Sequence, residues 1–147
     1  MSSPPRSLSQ ELSLVIRTLV GFIGVLWVSE VVDQAIFHGS LDRFGVQPRE
    51  VEGLLGLVTG PFLHGGYAHL ISNTVGLALL GAIVLLWSRR EFWLVTLAST
   101  LIGGLGTWLV GMDGSVHIGA SGVLFGYFGY LLLRGWFERK FGAMALS

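Results

Sequence analysis

The chain has 147 residues, 52% of them hydrophobic and 12% charged, with no net charge and no cysteine. A soluble domain carries about a quarter charged residues, so the composition excludes a water-soluble globule and indicates a membrane protein. Balanced charge offers no basic surface to nucleic acid, and the lack of cysteine removes disulfides and thiolate chemistry.

The opening MSSPPRSLSQE is short and polar and lacks the cleavage site of a secretory leader; residues 1–11 are expected as a cytoplasmic tail. A first apolar helix is expected over about residues 12–32. Arg17 interrupts it near its start, where a long side chain snorkels to the headgroups, and Glu30 and Asp33 mark its other end. Residues 33–68 form an outer connection. Within it, PREVEGLLGLV has the pattern of a helix start, with Pro48 in the first turn and Glu50 and Glu52 at the positive end of the dipole. The uncharged GLLGLVTGPF belongs in the membrane interface rather than in water.

Charge is absent from Gly53 to Ser88, from Phe92 to Met112 and from Gly114 to Leu133, and each run reaches the roughly 20 residues of a spanning helix. These runs predict helices over about 69–87, 92–110 and 121–133. The expected fold is an all-α membrane protein, a polytopic helical bundle occupying residues 12–147. Arg6, Arg17, Arg89, Arg90, Arg134, Arg139 and Lys140 fall on one side and only Arg43 and Arg49 on the other, which puts both ends in the cytoplasm. Trp87, Trp93 and Trp136 lie beside those arginines, as interfacial tryptophans do.

The polar residues inside these segments share a depth. The 13 residues from Ser121 to Leu133 make a helix of roughly 20 Å, against a hydrocarbon core about 30 Å thick. With Arg134 at the cytoplasmic boundary, Ser121 stops roughly 10 Å below the outer surface. The unwound GMDGSVHIGA above it survives there only beside a wet cavity or under protein cover. His69 and Asn73 are four apart and share a helical face. Counted from the cytoplasmic side, Asn73 lies level with Ser121, and His69 lies one turn nearer the outside. Any one of these groups alone fits interhelical hydrogen bonding worth about 1 kcal/mol or less; three at one depth point to a site. Gly122, Gly126 and Gly129 give the 121–133 helix a bare face for close backbone approach, the other face carrying Ser121, Phe125 and Phe128. A nucleophile at a helix N-terminus also has free amides and a dipole at hand for an oxyanion.

Two patterns now stand out: H-x4-H-x3-N as His64, His69 and Asn73, and G-x-S-G as Gly119, Ala120, Ser121 and Gly122, followed by Phe125 and Gly126. In this order, each at the outer end of a membrane segment, they resemble the rhomboid intramembrane serine proteases from roughly Glu50 onward. The resemblance implies that Ser121 is the nucleophile of a Ser–His dyad. Asn73 and His69 would donate to the oxyanion with the Ser121 amide, and His64 would be structural in the outer loop. It implies no metal and no organic cofactor. The implied substrates are transmembrane segments of other membrane proteins, cut near the outer face. A multi-pass location in a bacterial cytoplasmic membrane is expected, with lipid as the other partner.

Rhomboid cores have six membrane helices, with the general-base histidine on the sixth. This chain supplies four, no histidine follows His117, and FGAMALS reads as the opening of a further segment cut short. A chain incomplete at its C-terminus is therefore expected, inactive by itself and lacking the element its glycine face would pack against. His117, four residues before Ser121, is a local base only if helix extends back to it, which Gly119 and GMDGS oppose. A rival reading is a proteolytically inactive relative that binds membrane-protein clients; retention of Ser121 with His69 and Asn73 tells against it. A metal hydrolase on His64, His69 and His117 lacks HEXXH spacing and an accompanying carboxylate. The soluble-hydrolase elbow G-x-S-x-G fails at Val123.

Overall fold

The computed structural model describes residues 7–145, with side chains as far as Glu138. Arg6 and the side chains of Arg139 and Lys140, used above for orientation, lie outside the described residues. Four long helices carry the fold: α1 (Leu8–Phe37), α2 (Tyr67–Trp87), α3 (Arg89–Val110) and α4 (Ser121–Ala145). Among the described residues the first three are long and apolar enough to cross a membrane, and the only β pairing is one isolated bridge between Val46 and His117. Large apolar side chains point outward, among them Ile16 and Val28 of α1, Leu79 of α2, and Leu97 and Ile102 of α3. That distribution suits hydrocarbon as the solvent, where every backbone group is satisfied within its own helix.

Capping chemistry sets the helix ends. Ser7 opens α1 with a reciprocal box: its Oγ accepts from the Gln10 N–H, and Gln10 Oε1 accepts from the Ser7 N–H. Ser88 alone separates α2 from α3, extended at φ −160°, with its Oγ accepting from the Glu91 N–H. α4 runs on past Leu133 instead of stopping at Arg134. The Arg134 guanidinium pairs with Glu138 one turn later (2.8 Å) and with Glu91 of α3 (2.9 Å), and lies over the Trp87 ring, so the charge is satisfied without ending the helix.

Leu70, Leu77 and Val84 repeat every seven residues along α2 and form its buried stripe. Against it pack Leu19 and Leu26 of α1, Phe92 of α3, and Val123 and Tyr127 of α4. Phe92 stacks on Tyr127 (5.3 Å), whose hydroxyl is hydrogen-bonded to Thr96 (2.5 Å). A Cβ added to Gly126 of α4 would collide with Ser99 Oγ of α3, so the close helix approach expected at Gly126 is made by α3 of this chain and not by a missing element. A Cβ at Gly122 or Gly129 meets nothing within 4 Å. Phe125, 75% exposed, falls on this same open side rather than opposite it.

The outer connection also departs from expectation. In place of one helix starting at Pro48 it folds into short turns at Ser40–Phe44, Glu52–Leu54, Gly56–Thr59 and Gly60–Phe62. Arg49 takes a left-handed φ of 62°, and Gly56 lies so close to the Gly45–Val46 backbone that no side chain fits there.

Glu30 and Asp33, which the sequence placed at a helix end, are buried at 1% exposure. Asp33 Oδ1 accepts from the Leu41 N–H (3.0 Å) and Glu30 Oε1 from Gln34 Nε2 (3.1 Å). Asp42 joins them from the loop, and burial, followed by the charges of Asp33 and Glu30, pushes its carboxyl from 3.8 up to about 6. Folded Asp42 therefore keeps its proton between about pH 4 and 6, where the unfolded chain releases it, and the stability this gives is lost as pH rises through that window. Asp42→Asn is expected to melt above the wild type at about pH 7.5 and level with it near about pH 4. Thermal unfolding in detergent at both values checks this; a pH-independent difference contradicts it.

Candidate active site

Two helix starts build the site. Gly66, at φ 110°, turns the chain into α2, which places His69 in the first turn and Asn73 in the second, on one face. Gly119, at φ 102°, turns it into α4, a conformation open to glycine and costly for other residues. Space makes the same demand: a Cβ on Gly119 would stand 2.5 Å from His69 Cε1 and 3.3 Å from Asn73 Nδ2. The imidazole and the carboxamide thus lie directly against the backbone that leads into Ser121.

The amides at this junction are mostly taken. Gly119 N–H donates to Gly60 O (2.8 Å) and Ala120 N–H to His64 Nε2 (3.5 Å). Ser121, first in α4, carries one of the donors that every helix start leaves without an intrahelical partner. His64 is fully buried and meets His69 edge to face at 5.2 Å. Burial, then the neighbouring His69, lowers the His64 pKa from 6.5 to about 4, so at neutral pH it is uncharged and its Nε2 accepts. Asn73 is 3% exposed, and its Nδ2 has no partner. Burying an amide donor unpaired costs about 1–3 kcal/mol. Such a donor beside Gly119 is free for a negative charge that develops there.

Ser121 is half-buried on the wall of a cavity of about 350 Å³ between α3, α4 and the outer loop, with Thr100, Thr107, His117, Gly119 and Phe125 among its lining. His69 and Asn73 do not line this cavity; they meet Gly119 from the α2 side. The structure therefore gathers His64, His69, Asn73 and Gly119 in one cluster, with Ser121 two residues further on at the cavity. His117 shares the cavity but is not one helical turn before Ser121. Its backbone pairs with Val46 (2.9 Å in each direction), and its Nε2 is hydrogen-bonded to Ser115 Oγ (2.9 Å). Among the described residues the Ser121 hydroxyl makes no hydrogen bond, and no three histidine or acidic side chains are grouped as metal ligands. Sequence reasoning missed the share of Val46 and Gly60 in holding the 117–119 segment, since backbone partners leave no trace in residue type.

The rhomboid domain family matches residues 51–146. Uncharacterized proteins of Mycobacterium tuberculosis and Mycobacterium bovis are each 39% identical to the chain over 128 residues, covering 84% of it and 53% of their own length. A Bacillus subtilis protein provisionally named a rhomboid protease, YdcA, is 35% identical over 85 residues, 57% of this chain and 43% of its own. The chain spans about half the length of the curated mycobacterial relatives it matches. No solved structure matches it with comparable significance. With its spanning helices and a family match over most of its length, this integral membrane chain belongs to the rhomboid family.

Proposed function

We propose that this chain carries the nucleophile and the oxyanion-binding groups of an intramembrane serine endopeptidase. The observation that carries the reading is the buried, unpaired Nδ2 of Asn73 beside Gly119. Ser121 Oγ attacks the scissile carbonyl, and the oxyanion that forms takes hydrogen bonds from the Ser121 amide, Asn73 Nδ2 and His69. The hydroxyl proton passes to a base and from it to the leaving amine, and water then releases the acyl group. The base is assigned to a further helix of the whole protein, seated on the open side of α4 at Gly122 and Gly129. The substrates are transmembrane segments of other membrane proteins. Cutting falls near the outer face, because the site lies at the outer ends of α2 and α4 in a bacterial cytoplasmic membrane with the N-terminus inside.

The test is cleavage of a single-span substrate by the whole protein reconstituted in lipid. Ser121→Ala is expected to slow cleavage by more than about 10³-fold. Undiminished cleavage by that variant contradicts the reading; a wild type that binds the substrate and never cuts it favours the client-binding alternative.

A further inference from the structure

Arg49 donates five hydrogen bonds, all to α3 and the residues that follow it. Its left-handed backbone (φ 62°) is strained for a non-glycine residue. Its N–H donates to Trp108 O (3.0 Å), and Trp108 Nε1 donates back to Glu50 O (2.7 Å). The guanidinium spreads over three acceptors: Nη1 on Leu109 O (3.0 Å), Nη2 on Gly111 O (2.8 Å), and Nε (2.8 Å) with Nη2 on the Asp113 carboxylate. Those carbonyls close the C-terminus of α3, where a cation is favoured. Yet the side chains of the Arg49–Asp113 pair are 42% and 82% exposed, and a pair so wet contributes little. A strained backbone set against a weak ion pair makes the effect geometric.

What Arg49 fixes is the run from Gly111 to Ala120, which has no helix of its own. The outer loop fastens that run at four points: Arg49 at its start, Val46 paired with His117, Gly60 accepting from Gly119, and His64 accepting from Ala120. Gly119 is the residue that touches His69 and Asn73, and Ser121 follows it.

We propose that Arg49, with Asp113, is a positioning residue that sets the register of this run and so the placement of Ser121 against its oxyanion donors, an inference that rests on the protease reading above. Lysine keeps the charge but lacks the planar fork that reaches several acceptors at once. The test measures the rate at which a fluorophosphonate labels Ser121 in the whole protein, together with kcat and KM for a single-span substrate. Arg49→Lys and Asp113→Asn are expected to label about 10- to 100-fold more slowly, with kcat lowered, KM unchanged and melting near the wild-type temperature. Thr74→Ala, which removes the Trp27–Thr74 hydrogen bond of the α1–α2 contact, is the stability control: its melting temperature falls while its folded fraction labels at the wild-type rate. Wild-type labelling by both clamp variants overturns this inference and leaves the protease reading standing. A wild type that is never labelled at Ser121 overturns both.

Discussion

Asn73→Ala is expected to lower kcat of the whole protein by about 10²–10³-fold with KM close to the wild-type value, the loss that follows removal of one oxyanion donor. The expectation comes from the state of its amide. Nδ2 is buried and unpaired, so the resting protein carries its desolvation without a compensating bond. A contact made only when charge develops on the substrate affects the transition state and not substrate binding. For the same reason the alanine variant is expected to melt at or above the wild-type temperature, since the fold loses an unsatisfied group. Steady-state kinetics and thermal unfolding on one preparation check both halves. A variant with normal kcat and a lowered melting temperature would mean that the amide serves packing.

Gly119→Ala should be at least as damaging to activity, for a different reason. Alanine at φ 102° is strained by about 1–3 kcal/mol, and its Cβ would press on His69 Cε1 at 2.5 Å. Relief has to come from moving the imidazole or the 117–120 backbone, and either shift changes the placement of Ser121 relative to His69 and Asn73, the donors proposed for the oxyanion. The expected result is a lowered melting temperature together with loss of kcat in the fraction that remains folded. Gly21→Ala is the contrast: its Cβ meets nothing within 4 Å and helical alanine is favoured, so stability should hold or rise. Equal behaviour of the two variants contradicts the geometry at Gly119.

The fold class was legible because hydrocarbon imposes long apolar runs and removes charge from them, and those runs survive as α1, α2 and α3. The grouping of His69 and Asn73 was legible from a four-residue spacing. Periodicity says which residues share a face but not which neighbour arrives: Gly126 met Ser99, while Gly122 met nothing. That α4 continues past Leu133 was not legible, because Glu91, a partner of Arg134, lies 43 residues earlier on another helix. The outer connection was least legible. Its turns depend on backbone contacts at Gly45, Gly53 and Gly56, and its Asp42 meets the buried Glu30 and Asp33 of α1 only after folding. The bonds that steady the serine's approach, from Arg49, Val46 and Gly60, come from that same segment.

The most direct measurement is the mass of the peptide spanning Ser121 after the whole protein, in lipid, is treated with a fluorophosphonate. The account predicts one adduct per chain, on Ser121 Oγ, absent from Ser121→Ala and slowed in Asn73→Ala. Label on another residue, or a wild type that cleaves substrate while Ser121 stays unmodified, would contradict it.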